Sequence, residues 1–107
     1  MLTNLYLKKT APQPQNSTIT DITMDSAVLT FTPSDGQDEL YRVQAVITNV
    51  DTGERKVSEV QGDTGRLSFT GLTPGAVYSV VARGVTKDGR ISQPTDSMSF
   101  VTCKNRY

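Results

Sequence analysis

The residues with the clearest potential for chemistry are three acidic side chains close together in the chain, Asp35, Asp38 and Glu39. A pair of carboxylates can act as general acid and base when its surroundings shift one pKa. The neighbouring residues are polar and turn-forming, so the sequence indicates no such pocket. The spacing also lacks the ligand pattern of an EF-hand calcium loop. We therefore predict a solvated acidic loop rather than a catalytic or calcium site.

Nucleophilic catalysis and metal binding have little support, because the sequence has no histidine and a single cysteine, Cys103. A serine or threonine nucleophile would lack an imidazole base, and zinc sites need several Cys or His ligands. We expect no enzyme activity, no cofactor and no metal. One thiol cannot close an internal disulfide. The sequence leaves open whether Cys103 is free, bonded to another domain or a packing residue.

The charge balance argues against nucleic acid and membrane partners. The 107 residues include 11 basic and 11 acidic side chains, for a formal net charge of zero. The whole molecule therefore has no electrostatic attraction for nucleic acid or anionic lipid. No apolar run approaches the ~20 residues that a membrane span needs, and residues 1–9 lack a signal-peptide pattern. If the protein is extracellular, we expect this chain to be a piece of a longer one.

The elements that must position any site are short stretches of alternating apolar and polar residues, separated by turn residues about every ten positions. A single sheet of such strands would leave its apolar face in water, whereas two facing sheets bury it. The fold class predicted is therefore all-β, an immunoglobulin-like β-sandwich of seven antiparallel strands in two sheets. The predicted strands are 16–22, 27–32, 40–50, 56–60, 66–70, 77–86 and 97–102.

The two-residue period of a strand predicts which side chains face the core. Between the last two strands, Asp88-Gly89 favours a tight type I′ hairpin turn. The residues predicted to face inward are Ile19, Ile22, Ala27, Leu29, Phe31, Tyr41, Val43, Ala45, Ile47, Leu67, Phe69, Tyr78, Val80, Ala82, Gly84, Met98 and Phe100.

Segment 71–80, GLTPGAVYSV, resembles the fibronectin type III motif G-L-x-P-G-x-x-Y-x-V between the fifth and sixth strands. In this family a tyrosine at the start of the sixth strand sends its hydroxyl back to upstream backbone, an arrangement called the tyrosine corner. The resemblance gives Tyr78 this role. It implies that Leu72 plugs the end of the sandwich and that Pro74 and Gly75 set the turn.

Other segments are also similar to the family. Phe31 stands where the family usually has tryptophan, which preserves an aromatic ring but reduces the buried area. Tyr41 and Val43 match a Tyr-x-Val pair of the third strand. We assign the domain to residues 14–102, with an arm or remnant of a preceding repeat plus linker at 1–13 and a tail at 103–107. Residues 11–15, rich in proline, are expected to form a stiff, extended spacer.

The resemblance implies a function in recognition rather than chemistry. It points to a non-catalytic protein-interaction and spacer module of a multidomain cell-surface receptor or adhesion protein, acting outside the cell or at its surface. Its partners would be other proteins and neighbouring repeats. Residues 5–12 resemble the end of a closing strand, which is compatible with a tandem array. Two alternatives remain open: an accessory spacer of a secreted bacterial carbohydrate-active enzyme, and an intracellular muscle-type repeat.

Within this interpretation, the exposed loops at one end of the sandwich are the candidate contact sites. They contribute Lys87, Asp88 and Arg90 from the last hairpin, and Asp35 and Asp38 from the loop after the second strand. The charges of the hairpin also fit a tip selected only for turn geometry and solubility. The sequence contains no Arg-Gly-Asp triplet, so integrin recognition is not inferred.

Two further surface features are predicted. Asn16-Ser17-Thr18 fits the N-glycosylation acceptor pattern, which has meaning only in the secretory pathway. The predicted strand 56–60 could be an open sheet edge able to accept a partner strand, although its charges also fit protection against such pairing.

Overall fold

The alternating pattern produces seven strands in the computed structural model, which describes residues 11–33 and 40–104. All seven predicted strands are present, and most are shorter than predicted because turn residues end the ladders early. Their bounds are β1 Thr18–Thr20, β2 Ala27–Thr30, β3 Arg42–Asn49, β4 Arg55–Gln61, β5 Arg66–Phe69, β6 Val77–Val85 and β7 Met98–Val101.

The strands form two antiparallel sheets, one with the order β1-β2-β5 and one with the order β4-β3-β6-β7. β3 and β6 are the longest neighbours, and their ladder runs from the pair Arg42–Val85 to the pair Asn49–Tyr78. This arrangement confirms the predicted immunoglobulin-like sandwich. It also places β4 at an edge of the larger sheet, as the sequence indicated.

The core lies between the sheets and is filled by every second residue of the strands. The rings of Tyr78 and Phe100 stack with centroids 5.6 Å apart, and Phe31 is buried at the site where a tryptophan would be expected. The buried core comprises Ala27, Leu29, Phe31, Leu40, Val43, Ala45, Ile47, Leu67, Phe69, Leu72, Ala76, Tyr78, Val80, Ala82 and Phe100, with Ile19, Val60 and Met98 packed against it.

Two residues predicted to face the core are instead exposed. Tyr41 is 42% exposed, because β3 begins only at Arg42 and the preceding Leu40 fills the inward position. The Tyr41 ring lies 5.3 Å below the guanidinium carbon of Arg42, on the surface. Ile22 is 37% exposed, since β1 ends at Thr20 and Asp21 turns the chain with a φ of +53°. Both predictions extend the strand alternation beyond the ladder, for Tyr41 before the start of β3 and for Ile22 after the end of β1.

The segment 11–15, predicted to be a spacer, lies against the domain. Ala11 and Pro14 are buried, and the Gln13 amide donates hydrogen bonds of 3.0 Å to the carbonyls of Gln93 and Pro94. A Cβ added at Gly84 would overlap the carbonyl oxygen of Pro12. Glycine at position 84 therefore allows this segment to cross the end of β6.

The stretch between β6 and β7 binds β6 without being a regular strand. Ser92 and Thr95 donate their N–H groups to the carbonyls of Gly84 and Ala82. Their side-chain hydroxyls accept hydrogen bonds from the N–H groups of the same two residues, at 2.9 and 3.0 Å. The two hydroxyls thus replace the backbone carbonyls that a longer β7 would offer to these N–H groups of β6. Pro94, which has no N–H to donate, fits between Ser92 and Thr95.

No helix long and apolar enough to cross a membrane occurs in residues 11–33 and 40–104.

Candidate functional site

The corner between β5 and β6 is held by Tyr78, as predicted. Its hydroxyl oxygen accepts a hydrogen bond of 2.8 Å from the backbone N–H of Thr73. The Tyr78 side chain is buried at the start of β6, and Leu72 is buried beside it in the core. Gly75 adopts a φ of +66°, which favours glycine, and this completes the turn. We call the end of the sandwich that contains residues 72–78 the corner end.

A second residue, Thr102, holds the same corner and was not singled out from the sequence. Its hydroxyl donates to the carbonyl of Thr73 at 2.6 Å and accepts from the N–H of Ala76 at 2.9 Å. Thr102 is buried, and the Gly75 N–H donates to the carbonyl of the following residue, Cys103. The available signal was the threonine at the end of the last strand, but its bonding partners lie 26 and 29 residues away.

The surroundings of Tyr78 alter its acidity. Burial of the ring raises the pKa of the hydroxyl, but hydrogen bonds from Thr73 and Asn49 and the positive charge of Lys56 together outweigh burial. The pKa of Tyr78 therefore lies below the usual tyrosine value of about 10. Lys56 is held nearby because its ammonium group donates to the carbonyl of Gly71 at 3.2 Å.

Two of the three predicted contact residues on the last hairpin, Asp88 and Arg90, form an ion pair. The Asp88 carboxylate accepts a hydrogen bond from the Thr86 hydroxyl and pairs with the Arg90 guanidinium at 3.1 Å. Gly89 donates its N–H to the carbonyl of Thr86, and Thr86 donates to the carbonyl of Arg90. Lys87 is exposed at the tip. We call the end of the sandwich that contains residues 86–90 the hairpin end.

The predicted type I′ turn in this hairpin is wrong. That turn needs positive φ at both Asp88 and Gly89, whereas only Gly89 has it, at +93°. The hydrogen bond from Gly89 to Thr86 instead closes a turn over Lys87 and Asp88, and Gly89 follows as a bulge. Capture of the Asp88 carboxylate by Thr86 and Arg90 favours this longer loop.

The remaining predicted residues are separate from the hairpin. Asp35 and Asp38 lie outside the described residues. Leu40, which follows that segment, lies within contact distance of Gly84 at the hairpin end. Asn16 is exposed, with a φ of +56°, and its amide donates a hydrogen bond of 2.9 Å to the Thr32 hydroxyl.

The edge strand β4 is open in the part of the chain that the structure describes, where it pairs only with β3. Val57, near its middle, is 62% exposed. A groove of about 360 Å³ lies beneath this edge, between β4 and β5. It opens widely to solvent and holds no grouping of three potential metal ligands among the described residues. The groove is lined by Ile47, Lys56, Val57, Ser58, Ser68, Phe69 and Thr70.

The outer face of the larger sheet carries a row of valines. Val57 of β4 lies opposite Val46 of β3, which lies opposite Val81 of β6. Polar residues flank this row, with Glu59 and Gln44 on one side and Arg55 on the other. The outer face therefore carries an apolar row, bordered by polar side chains, that continues to the exposed Val57 at the edge.

Comparisons with known proteins agree with this architecture. A family model described as fibronectin type III domain matches residues 12–100. A two-domain segment of chicken tenascin is similar in structure, with a TM-score of 0.76, 24% identity and coverage of 89% of this chain and 52% of that chain. This chain thus spans about half of the tenascin segment. The comparison with curated proteins found no match.

Two further solved structures show the same fold. The FN5 domain of Drosophila Lar aligns with a TM-score of 0.71 and 19% identity, covering 90% of this chain and 100% of that domain. Titin domains A168–A170 align with a TM-score of 0.70 and 19% identity, covering 89% of this chain and 33% of that segment. Single-domain and multidomain structures therefore both contain a unit of this shape.

Proposed function

We propose that this chain, which belongs to the fibronectin type III domain family, is a non-catalytic interaction and spacer module of a multidomain cell-surface receptor or adhesion protein. Domains of this family are generally non-catalytic modules of larger proteins. In the proposal, the module holds its neighbours apart and presents the hairpin end to other proteins.

The observation that carries the proposal is the position of the two ends of the described domain. Pro12 crosses Gly84 at the hairpin end. At the corner end, the backbone N–H of Cys103 donates a hydrogen bond to the carbonyl of Thr23, and the carbonyl of Cys103 accepts one from the N–H of Gly75. Strand β6, Val77–Val85, separates these two ends and spans about 27 Å at the usual rise of an extended strand. A chain that arrives at one end and leaves at the other separates whatever it connects, which is the geometry of a spacer.

An intracellular structural repeat is the second candidate, and the similarity to a titin segment favours it. The two candidates share the spacer geometry and differ in compartment. An extracellular module would meet glycosylation enzymes at Asn16 and an oxidising environment at Cys103. An intracellular repeat would keep Asn16 unmodified and the thiol reduced.

A binding screen against cell-surface ectodomains tests the recognition part of the proposal. We expect at least one ectodomain to bind the wild-type domain and to bind Lys87→Glu about tenfold more weakly, since this reverses a charge at the tip of the hairpin end. Lys104→Glu makes the same charge change near the corner end and serves as the matched control. Binding of no ectodomain, or equal losses in both variants, would contradict the proposal.

A further inference from the structure

We propose that the domain self-associates through β4, which pairs antiparallel with β4 of a second copy about a twofold axis at Val57. The two larger sheets would join into one continuous sheet of eight strands. This goes beyond the proposed function, because a spacer that never self-associates would serve that function equally well.

Among residues 11–33 and 40–104, the backbone of β4 leaves unpaired the groups that this association requires. Asn49 donates its N–H to the carbonyl of Glu54, and Gly62 donates to the carbonyl of Tyr41, both at 2.8 Å. Bonded positions alternate along an antiparallel ladder, so every second residue between 54 and 62 bonds to β3. The intervening residues Arg55, Val57 and Glu59 direct their N–H and carbonyl groups away from β3, toward the open edge.

The side chains of the same three residues are complementary to themselves. Arg55, Val57 and Glu59 share the outer sheet face, opposite Thr48, Val46 and Gln44 of β3. An antiparallel partner centred on Val57 places Arg55 opposite Glu59 of the second copy, and Glu59 opposite its Arg55. Val57 then lies opposite Val57. Opposite charges and β-branched pairs facing each other across a ladder are both stabilising.

Neighbouring registers fit less well. Centring the pair on Ser58 places Val57 opposite Glu59, an apolar side chain against a charge. Centring it on Lys56 places two ammonium groups opposite each other, and centring it on Glu59 does the same with two carboxylates. Like charges directly opposite destabilise a strand pair. The sequence of β4 therefore selects the Val57-centred register.

The surrounding surface supports the same geometry. The row Val81–Val46–Val57 would continue into the second copy as Val57–Val46–Val81, which shields part of the exposed Val57 side chain from water. Glu59 is positioned on this face by contacts within its own sheet, with Arg42 at 3.7 Å and Gln44 at 3.3 Å. The formal net charge of zero adds no overall repulsion between copies.

Sedimentation equilibrium over a concentration series, with paired charge reversals, tests this inference. In a symmetric pair, Arg55→Glu places two carboxylates opposite each other at two points of the ladder, and Glu59→Arg does the same with two guanidinium groups. We expect each variant alone to dimerise at least about tenfold more weakly than wild type. A one-to-one mixture restores both opposite-charge pairs and should dimerise within about threefold of wild type.

Backbone pairing is tested by Val57→Pro. Proline removes an N–H that points to the open edge and not to β3, so the fold tolerates it at an edge strand while the intermolecular ladder does not. We expect the variant to be monomeric with an unchanged dichroism spectrum. For the charge reversals at positions 55 and 59, Arg66→Glu is the matched control, because Arg66 is exposed on β5 and its ion pair with Asp21 is long, at 3.6 Å.

Three results would overturn the inference. The first is a wild-type chain that remains monomeric up to about millimolar concentration, the weakest range of measurable association. The second is a dimer unaffected by Arg55→Glu and Val57→Pro. The third is a mixture of the two charge variants no more dimeric than either alone. None of these results would alter the ectodomain binding expected of the proposed function.

Discussion

The hydroxyl oxygen of Tyr78 accepts a 2.8 Å hydrogen bond from the backbone N–H of Thr73, five residues earlier in the chain. This bond joins the start of β6 to the turn that leads into it. Thr102 bonds to the same turn through the carbonyl of Thr73. The turn is therefore held by one side chain from each of two different strand ends.

Replacing Tyr78 by phenylalanine should destabilise the domain by about 1–3 kcal/mol. The substitution keeps the buried ring but leaves the Thr73 N–H without its acceptor. Urea unfolding followed by far-ultraviolet dichroism measures the change. Tyr41→Phe is the matched control, because that side chain is 42% exposed, and it should change stability by less than about 0.5 kcal/mol. Equal effects of the two substitutions would contradict the role of the corner.

Stability should also depend on the ionisation of Tyr78. The pKa of this hydroxyl is lower in the folded state, so folding stabilises the ionised form of Tyr78 relative to the unfolded chain. The contribution is complete above the unfolded pKa of about 10 and is lost as pH falls through the folded pKa. The stability difference between wild type and Tyr78→Phe should therefore grow as pH rises toward about 10.5. A difference that shrinks over this range would contradict the assignment.

Thr102→Val should cost about 1–3 kcal/mol in unfolding free energy. Valine matches the shape of threonine but removes the acceptor of the Ala76 N–H and the donor to the Thr73 carbonyl. Thr102→Ser keeps the hydroxyl and should recover most of the loss. A valine variant as stable as wild type would contradict the role of the two hydrogen bonds, and a serine variant as unstable as the valine variant would show that the hydroxyl alone does not stabilise the corner.

Secretion from mammalian cells should add one N-glycan at Asn16. The side chain is exposed ahead of β1, where the enzyme has access. Intact mass spectrometry should show the addition in wild type and in Thr18→Ser, which keeps the acceptor pattern, and not in Thr18→Ala. An unmodified wild-type mass would favour the intracellular alternative.

The sequence was sufficient to predict the sandwich because the physical signals for it are local. Alternation in β3 and β6 places Val43, Ala45 and Val80 in the core without knowledge of the partner strands. The role of Tyr78 followed from a short motif around it. Both depend on residues that are neighbours in the chain.

What the sequence could not reveal depends on where strands end and on what lies across the fold. Tyr41 and Ile22 were assigned to the core because nothing in the alternation marks the end of a ladder. The role of Thr102 depends on Ala76, 26 residues away. The open edge at β4 could be suggested from its sequence, but its free backbone positions depend on the register with β3.

The separation of the two ends is the most direct test of the module as a spacer. Spin labels on the native Cys103 and on Lys87→Cys mark the corner end and the hairpin end, and both positions are exposed. Pulsed electron resonance on labelled protein diluted with unlabelled protein should give one narrow distance near 30 Å, set by the length of β6. A broad distribution, or a main distance below about 20 Å, would contradict the account.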